Sequence, residues 1–310
     1  MPGATWRELA STWTGVGLLS LSAVFVRLAD VEPARSAFLR GLYALPAFAA
    51  MVWWQRRRRE KSLRGALVPL AVLAGVFLGA DLLAWHASIG IIGAGLATVI
   101  PNLQVVFVGI TGALVFGERP HGAFWAALPV VLLGVWMLAA AGEPLEPAGS
   151  VPLGVGLGVL TGIFYAGYLV LLRIARLRAS EVTSIEAMAS ATLGAAAIMG
   201  VFAALEGVAG PAGSLEADGW LVALALGNQV LAWVLVTASI HRLPAALTSV
   251  ALLLQPVLAL GWGALLLGEP LGPAQLAGSA VVLGGVAAAH RAVVVGERRV
   301  AETERAATSG

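Results

Sequence analysis

The sequence predicts an all-α integral membrane protein in which ten transmembrane helices form two inverted five-helix repeats. Three observations carry this prediction: the composition, the spacing of the apolar stretches and a pattern that occurs twice. Of the 310 residues, 59% are hydrophobic and only 12% are charged, whereas roughly 25% are charged in an average soluble domain. So few charged side chains do not cover a water-facing surface of this size, and the chain is therefore expected to lie in a bilayer.

Ten apolar stretches have about the 20 residues that a helix needs to cross a hydrocarbon core roughly 30 Å thick. In chain order they are residues 13–28, 37–54, 67–86, 91–116, 122–141, 152–172, 182–205, 219–240, 245–267 and 272–290. The connections between them are short, and exposed loops inside a bilayer leave their backbone groups unsatisfied. The stretches are therefore expected to form a helical bundle with no soluble domain between them.

The basic residues predict the orientation of the bundle. If the N-terminus is cytoplasmic, all but three of the 19 Lys and Arg residues fall on the cytoplasmic side, the exceptions being Arg27, Arg35 and Arg40. This bias predicts that both termini are cytoplasmic and that the number of spans is even. The first span has no small-residue cleavage site and is interpreted as a retained signal anchor. Abundant Ala, Gly, Leu and Arg favour a bacterial source, so a multi-pass protein of the bacterial inner (plasma) membrane is predicted.

One pattern occurs in both halves of the chain. Gln104 lies 14 residues before Glu118, as Gln255 lies 14 residues before Glu269. A polar residue followed four positions later by a tryptophan also occurs twice: Asp81 and Trp85, then Gln229 and Trp233. Each half, residues 1–146 and 147–310, holds five spans. Because five is an odd number, the second half crosses the membrane in the opposite direction to the first. Inverted repeats are typical of secondary transporters, which bind substrate near the bilayer midplane between the halves.

These segments resemble the EamA family of the drug/metabolite transporter superfamily. The resemblance rests on residues 81–89 (DLLAWHASI), 97–104 (ATVIPNLQ) and 254–257 (LQPV) and on the Gly-Glu ends of spans four and nine, and it extends over about residues 13 to 290. It implies a basket of ten helices, two five-helix repeats around a central cavity, and export of small metabolites, often amino acids. In one departure, Pro101 lies 17 residues before its glutamate and Pro256 lies 13 before its own, so the two kinks are expected at different depths.

Polar and aromatic side chains inside the spans are the candidate substrate-binding residues. The predicted set is Trp85, Asn102, Gln104, Tyr165, Tyr168, Gln229, Trp233 and Gln255. Amides both donate and accept hydrogen bonds, and aromatic rings form flat walls for an amphipathic ligand. Helix packing and the interfacial aromatic belt are the alternative roles. Asn102 and Gln104 lie about 200° apart around a regular helix, so only one is expected to face the cavity, with Gln104 preferred.

Asp81 and His86 are the candidates for proton coupling. Asp81 lies well inside span three, where an ionisable group is costly and marks a functional position. It would carry the proton if transport is proton-coupled, and the alternative is a structural carboxylate paired with Arg40 or bonded to a neighbouring helix. His86 is a side chain of the type that titrates near neutral pH, and its alternative is a structural role near the end of the span.

These features predict a secondary transporter that exports a small organic metabolite, such as an amino acid or an amphipathic drug-like compound, by alternating access. The expected partners are this small-molecule substrate, the lipid bilayer and, if transport is coupled, protons. A monomer and a dimer fit the sequence equally. The alternatives are an intramembrane enzyme acting on a lipid-linked substrate, with Asp81 and His86 as its only candidate pair, and a membrane receptor that does not transport.

Several kinds of chemistry are not expected from this sequence. It contains no cysteine, which removes disulfides, cysteine-ligated metals and thiol catalysis. No two histidines have the spacing of a helical metal site, and no nucleotide-binding segment occurs, so no metal, cofactor or enzymatic activity is predicted. The arginine run at 56–59 is interpreted as a topology determinant that contacts anionic lipid rather than nucleic acid.

Overall fold

The computed structural model describes residues 6–58, 69–117, 122–141, 150–178, 183–239 and 245–308, and the regular structure in these ranges is helical throughout. The helices are α1 (Trp6–Ser20), α2 (Ser22–Ala29), α3 (Pro33–Arg58), α4 (Pro69–Val99), α5 (Gln104–Phe116), α6 (Gly122–Ala141), α7 (Val151–Arg178), α8 (Ser184–Leu205), α9 (Leu215–Ala223), α10 (Trp233–Ser239), α11 (Ala245–Leu267) and α12 (Pro273–Thr308). A 3₁₀ turn at Ile100–Leu103 joins α4 to α5, and a π-helix at Leu224–Ala232 joins α9 to α10. The predicted all-α class is confirmed for these residues.

Most of the predicted spans coincide with helices that suit a membrane. Within the described ranges, six stretches are long and apolar enough to cross one: Ala10–Ala29, Pro33–Arg58, Pro69–Val115, Val151–Ala175, Ser184–Leu205 and Leu215–Val236. Three further apolar helices are shorter: Gly122–Leu138, Leu254–Leu267 and Pro273–Ala289. The protein is therefore a multi-pass membrane protein.

The boundary predicted between spans three and four, at residues 87–90, lies a few residues further along the chain. Helix α4 continues through these residues, and its backbone leaves helical geometry only at Gly93, where φ is 85° and ψ is 165°. Glycine adopts this conformation readily because it has no Cβ, and the apolar residues before it favour continued helix. The boundary between spans three and four thus lies at a glycine break and not at a loop. Glu118, which follows span four, lies outside the described residues.

Helix α8 begins at a capping box that also receives the end of α3. The Thr183 hydroxyl accepts a hydrogen bond from the Glu186 N–H at 3.2 Å, and the Glu186 carboxylate accepts one from the Thr183 N–H at 3.2 Å. Two orphan donors of the helix start are thereby satisfied. The Glu186 carboxylate lies 3.3 Å from the Arg56 guanidinium of α3. The C-terminal end of α3 and the N-terminal end of α8 consequently lie at the same end of the bundle.

Helix α4 is the central element and packs against α7, α8 and α11. Its contact with α8 is close because small residues face each other. A Cβ on Gly75 would lie 2.0 Å from the Ala191 carbonyl oxygen, and a Cβ on Gly194 would lie 2.1 Å from the Val72 carbonyl oxygen. Both contacts are backbone oxygens, which cannot move aside as the end of a flexible side chain can. Small residues at this interface are the usual way in which membrane helices approach closely.

We expect Gly194→Ala to destabilise the protein by about 1–3 kcal/mol, the usual cost of overpacking, because its new methyl group forces α4 and α8 apart. Thermal unfolding in detergent, followed by circular dichroism and size-exclusion chromatography, measures the change. Gly156→Ala in α7 is the matched control, since nothing lies within 4 Å of a Cβ there. Equal melting temperatures for the two variants would contradict this account of the interface.

Candidate functional site

A cavity of about 330 Å³ lies among helices from both halves of the chain. This volume is at the lower end of the roughly 300–1,000 Å³ that is common for small-molecule sites. Polar, charged and aromatic side chains contribute to its wall. The lining residues are Leu19, Ser22, Arg40, Asp81, Leu82, Trp85, Thr98, Pro101, Asn102, Gln104, Thr161, Tyr165, Leu169, Trp233, Val236 and Gln255.

The structure brings most of the sequence-predicted site residues to this one cavity. Those that line it are Asp81, Trp85, Asn102, Gln104, Tyr165, Trp233 and Gln255. Three predicted residues are not among the lining residues, namely His86, Tyr168 and Gln229. Each of the three contacts a residue that does line the cavity: His86 contacts Trp85, Tyr168 contacts Tyr165, and Gln229 contacts Arg40. Their placement separates residues that face the cavity from residues that hold the wall in position.

Asn102 and Gln104 both line the cavity, so the expectation that only one of them faces it is wrong. The reason is the 3₁₀ turn at Ile100–Leu103, which carries Pro101. On a regular α-helix two positions correspond to about 200° of rotation, so the two side chains are about 160° apart by the shorter way around. A 3₁₀ helix has about 3.0 residues per turn, and the same two positions are then only about 120° apart. The Asn102 amide donates to the Thr98 and Val99 carbonyl oxygens at 2.9 and 3.0 Å.

Arg40 is a site residue that the sequence interpretation did not include. It is buried, and its Nε donates to the Gln229 side-chain oxygen at 3.1 Å while Nη1 donates to the Ser22 hydroxyl at 3.4 Å. Its guanidinium carbon also lies 5.7 Å from the centre of the Trp85 ring. A lone cation inside the apolar stretch 37–54 was the available signal, because ionisable residues at membrane depth are rare and functional.

Gln229 reaches the cavity through Arg40. It lies in the π-helix Leu224–Ala232, and such helices occur frequently at functional sites. Its neighbour Asn228 is completely buried and donates to the Leu18 carbonyl oxygen of α1. The wider turn therefore presents two consecutive amides to other helices, one to the backbone of α1 and one to the guanidinium that lines the cavity.

Asp81 is buried in the cavity wall without an ion pair. Its side chain is 6% exposed, and no basic group among the described residues lies within the 4.0 Å of a salt bridge. Arg40, which lines the same cavity, interacts with it electrostatically over a longer distance. The Asp81 backbone carbonyl accepts a hydrogen bond from the Thr161 hydroxyl of α7 at 3.4 Å. The cavity wall thus holds a buried arginine and a buried aspartic acid that do not pair directly.

His86 and Tyr168 lie behind the cavity wall. The His86 Nδ1 is 3.0 Å from the Ser36 hydroxyl, its ring packs edge-on against Trp85 at 5.3 Å between centroids, and its buried Nε2 has no hydrogen-bond partner among the described residues. The Tyr168 ring lies 5.7 Å from that of Tyr165, which lines the cavity. No group of three or more potential metal ligands occurs in the described part of the chain.

The cavity position of Gln255 predicts its reactivity as a cysteine. The natural chain contains no cysteine, so a single introduced thiol reports on one position. We expect Gln255→Cys to react with a small charged thiol reagent that requires water. Ser279→Cys, buried at 2% exposure and away from the cavity, serves as the control and is expected to stay unlabelled. Equal labelling of both, measured by mass spectrometry, would contradict the cavity assignment.

Comparisons with known proteins agree with this two-part arrangement. The model of the EamA-like transporter family matches residues 10–140 and again residues 152–289. A solved structure titled "Crystal structure of protein" is similar to this chain, with 19% identity, a TM-score of 0.60, and coverage of 94% of this chain and 98% of that one. This likeness concerns the fold alone. A comparison with curated proteins gives no match. Because the family model matches twice and spans most of the chain, the protein belongs to the EamA-like transporter family of the drug/metabolite transporter superfamily.

Proposed function

We propose that this protein is a secondary transporter that exports a small organic metabolite across the plasma membrane of a bacterium by alternating access. The observation that carries the proposal is the origin of the cavity wall. Arg40, Asp81 and Gln104 come from the first matched segment, and Tyr165 and Gln255 come from the second. A transporter built from two repeats binds its substrate between them and exposes that site to each side in turn.

The proposed topology has ten helices in two inverted halves, residues 1–146 and 147–310, whose boundary lies outside the described residues. The stretch Pro69–Val115 has 47 residues, enough for two crossings, and the shorter apolar helices supply the remaining spans. The ion pair between Arg56 and Glu186 supports this order, because the topology assigns the end of span two and the start of span seven to the same face. Basic residues favour the cytoplasm for that face and for both termini.

The chemistry of the cavity favours a small dipolar substrate with an apolar or aromatic part. Arg40 and Asp81 offer opposite charges without pairing, so a ligand with an anionic and a cationic group can satisfy both. The buried Gln104 Oε1 has no hydrogen-bond partner among the described residues and is an acceptor that a substrate can use. Trp85 and Trp233 add flat aromatic surface. Amino acids with an apolar or aromatic side chain have this chemistry.

The remaining predicted residues take two kinds of role in this proposal. Asn102, Tyr165 and Gln255 contact substrate directly, since they line the cavity. Gln229 positions the Arg40 guanidinium through their hydrogen bond, and Tyr168 supports the Tyr165 ring. Loss of either supporting residue would change substrate affinity through its neighbour.

Asp81 is the proposed proton carrier if transport is coupled to a proton gradient. A carboxylate that lines the substrate cavity and lacks an ion pair can exchange a proton for a cationic substrate group. His86 is the second candidate, because it lies one residue from Trp85 and its Nε2 has no partner among the described residues. Binding of proton and substrate at one carboxylate would make their fluxes depend on each other.

We expect Asp81→Asn to abolish uphill accumulation driven by a proton gradient while sparing exchange of substrate at equal concentrations. The amide has the size of the carboxylate and keeps a hydrogen-bonding group for the substrate but does not titrate, so substrate still exchanges, with reduced affinity, and the site no longer binds the proton. Accumulation and exchange are measured in the same proteoliposomes with and without a pH gradient. Unchanged accumulation in the variant would exclude Asp81 as the coupling residue.

The transport proposal itself is tested by counterflow. Proteoliposomes preloaded with a mixture of amino acids and other metabolites are analysed by mass spectrometry for compounds that exchange. We expect one compound class to exchange in the parent protein and to lose at least about tenfold in rate in the Gln104→Ala/Gln255→Ala variant, as removal of two substrate hydrogen bonds requires.

Gln275→Ala is the matched control for this variant. Gln275 is also a buried glutamine, but its side chain accepts from the Gly272 N–H at the start of α12 and it does not line the cavity. Equal losses in the control and in the double variant would contradict the assignment of the two cavity glutamines to substrate.

Two other functions make different predictions. An intramembrane enzyme would convert a lipid-linked substrate, and its one candidate pair, Asp81 with His86, is divided because only Asp81 lines the cavity. A receptor would bind a ligand and move none. Ligand-induced thermal stabilisation without counterflow would favour the receptor, whereas a chemically altered product would favour the enzyme.

A further inference from the structure

The helix at the centre of the bundle is interrupted at one end of a membrane crossing. Helix α4 leaves helical geometry at Gly93, and the chain is helical again from Ala94. Residues 69–92 before the break span about 36 Å at 1.5 Å per residue, and a hydrocarbon core is about 30 Å thick. The helix that starts at Ala94 begins with N–H groups that its own residues do not pair.

Glu269, from the second matched segment of the chain, supplies the missing acceptors. Its Oε1 accepts from the Ala94 N–H at 2.7 Å and its Oε2 accepts from the Gly95 N–H at 3.2 Å. Its own backbone N–H donates to the Gly263 carbonyl oxygen at 3.0 Å. A carboxylate at a helix N-terminus is stabilised by the hydrogen bonds that backbone N–H groups donate to it and by the positive end of the helix dipole. This contact therefore joins the two halves of the protein.

Two glycines make room for the Glu269 carboxylate. A Cβ on Gly93 would lie 2.8 Å from the Glu269 carboxyl carbon, and a Cβ on Gly263 would lie 2.5 Å from its Oε2. The carboxylate therefore occupies a space that side chains at these two positions would fill. A third glycine, Gly268, has φ at 66° and turns the chain after α11, directly before the glutamate.

The contact joins the two walls of the cavity. Just beyond the capped residues, the chain carries Thr98, Asn102 and Gln104, all of which line the cavity. Helix α11, which ends at Leu267, carries Gln255 on the other wall. Glu269 itself does not line the cavity. Glu269 therefore connects the cavity wall of one half to the cavity wall of the other and does not itself contact the cavity.

We propose that Glu269 is a positioning residue that acts as a latch: by capping the helix start at Ala94, it holds the cavity closed at this end of the bundle, and the cap releases when the cavity opens there. The proposal rests on the proposed transport function. Alternating access needs the two halves to separate at one end, and the two hydrogen bonds of Glu269 cross between the halves at such an end. Under the proposed topology this end faces the cell exterior.

The latch is tested first by thiol labelling, which does not depend on transport. In a Gln255→Cys background, Glu269→Gln replaces the charge that holds the two N–H groups. We expect labelling from the Glu269 face to rise by about tenfold, the factor that corresponds to losing one hydrogen bond to a charged group. Glu216→Gln, which changes an exposed glutamate in the first turn of α9, is expected to leave the rate unchanged.

Labelling is compared in right-side-out and inside-out vesicles, and folding is checked by size-exclusion chromatography. A rise confined to the Glu269 face supports the latch. A lower melting temperature with unchanged labelling means that Glu269 only stabilises the helix end, and this overturns the proposal. An equal rise at both faces means general loosening and overturns it as well.

A cross-link tests the same contact in the opposite direction. The Ala94→Cys/Glu269→Cys variant is treated with a short bifunctional thiol reagent that couples through disulfide bonds, which keeps the two halves together. We expect counterflow to be lost on cross-linking and restored by reductant, with either single cysteine variant unaffected by the reagent. Full transport by the cross-linked protein would overturn the latch.

The two proposals fail in distinguishable ways. If the uncross-linked parent moves no compound, the transport function fails, and the labelling experiment still reports whether Glu269 closes this end. If the parent transports and the Glu269→Gln variant neither labels faster nor transports differently, the latch fails and the transport function stands.

Discussion

A break in a membrane helix frees backbone groups that need other hydrogen-bond partners, and at three irregular segments of this protein a side chain binds backbone groups. At Gly93 the freed N–H groups bind the Glu269 carboxylate. At the 3₁₀ turn the Asn102 amide donates to the Thr98 and Val99 carbonyl oxygens, and near the end of α1 the Leu18 carbonyl oxygen accepts from Asn228 of the π-helix. Pro101 and Asn102 of the 3₁₀ turn line the cavity, and Gln229 of the π-helix binds Arg40 in its wall, so two of the irregular segments contribute to the proposed site.

The charged groups in the cavity follow the same constraint. A buried guanidinium is costly unless its N–H groups are bonded, and Arg40 meets this requirement with neutral partners, Gln229 and Ser22, in place of the nearby carboxylate. Asp81 consequently stays without an ion pair among the described residues. A direct pair would neutralise both groups and occupy the space between them. The arrangement leaves both side chains available to the proposed dipolar ligand.

Close packing sets the frame in which these groups are placed. Helix α4 belongs to the first matched segment, and glycines let it approach α8 of the second segment to backbone contact. Membrane helices gain little from apolar burial against lipid, so close contact between small residues supplies much of the attraction. The same helix carries Asp81 and Trp85 to the cavity and ends its first crossing at Gly93. Movement between the halves therefore acts on cavity and latch together.

Sequence alone was enough for the membrane class, the helical content and seven of the sixteen residues that line the cavity, because a bilayer permits few backbone structures and makes polar residues at depth exceptional. Asp81 was predicted from its depth, and Gln104 and Gln255 from their matching positions beside prolines. The partners of Arg40 and Glu269 came from the tertiary structure. Their hydrogen bonds join residues 189 and 175 positions apart, and no local period encodes such a pair. The end of the first part of α4 was also not predicted, because it depends on the backbone conformation of one glycine, Gly93, and hydropathy does not measure that.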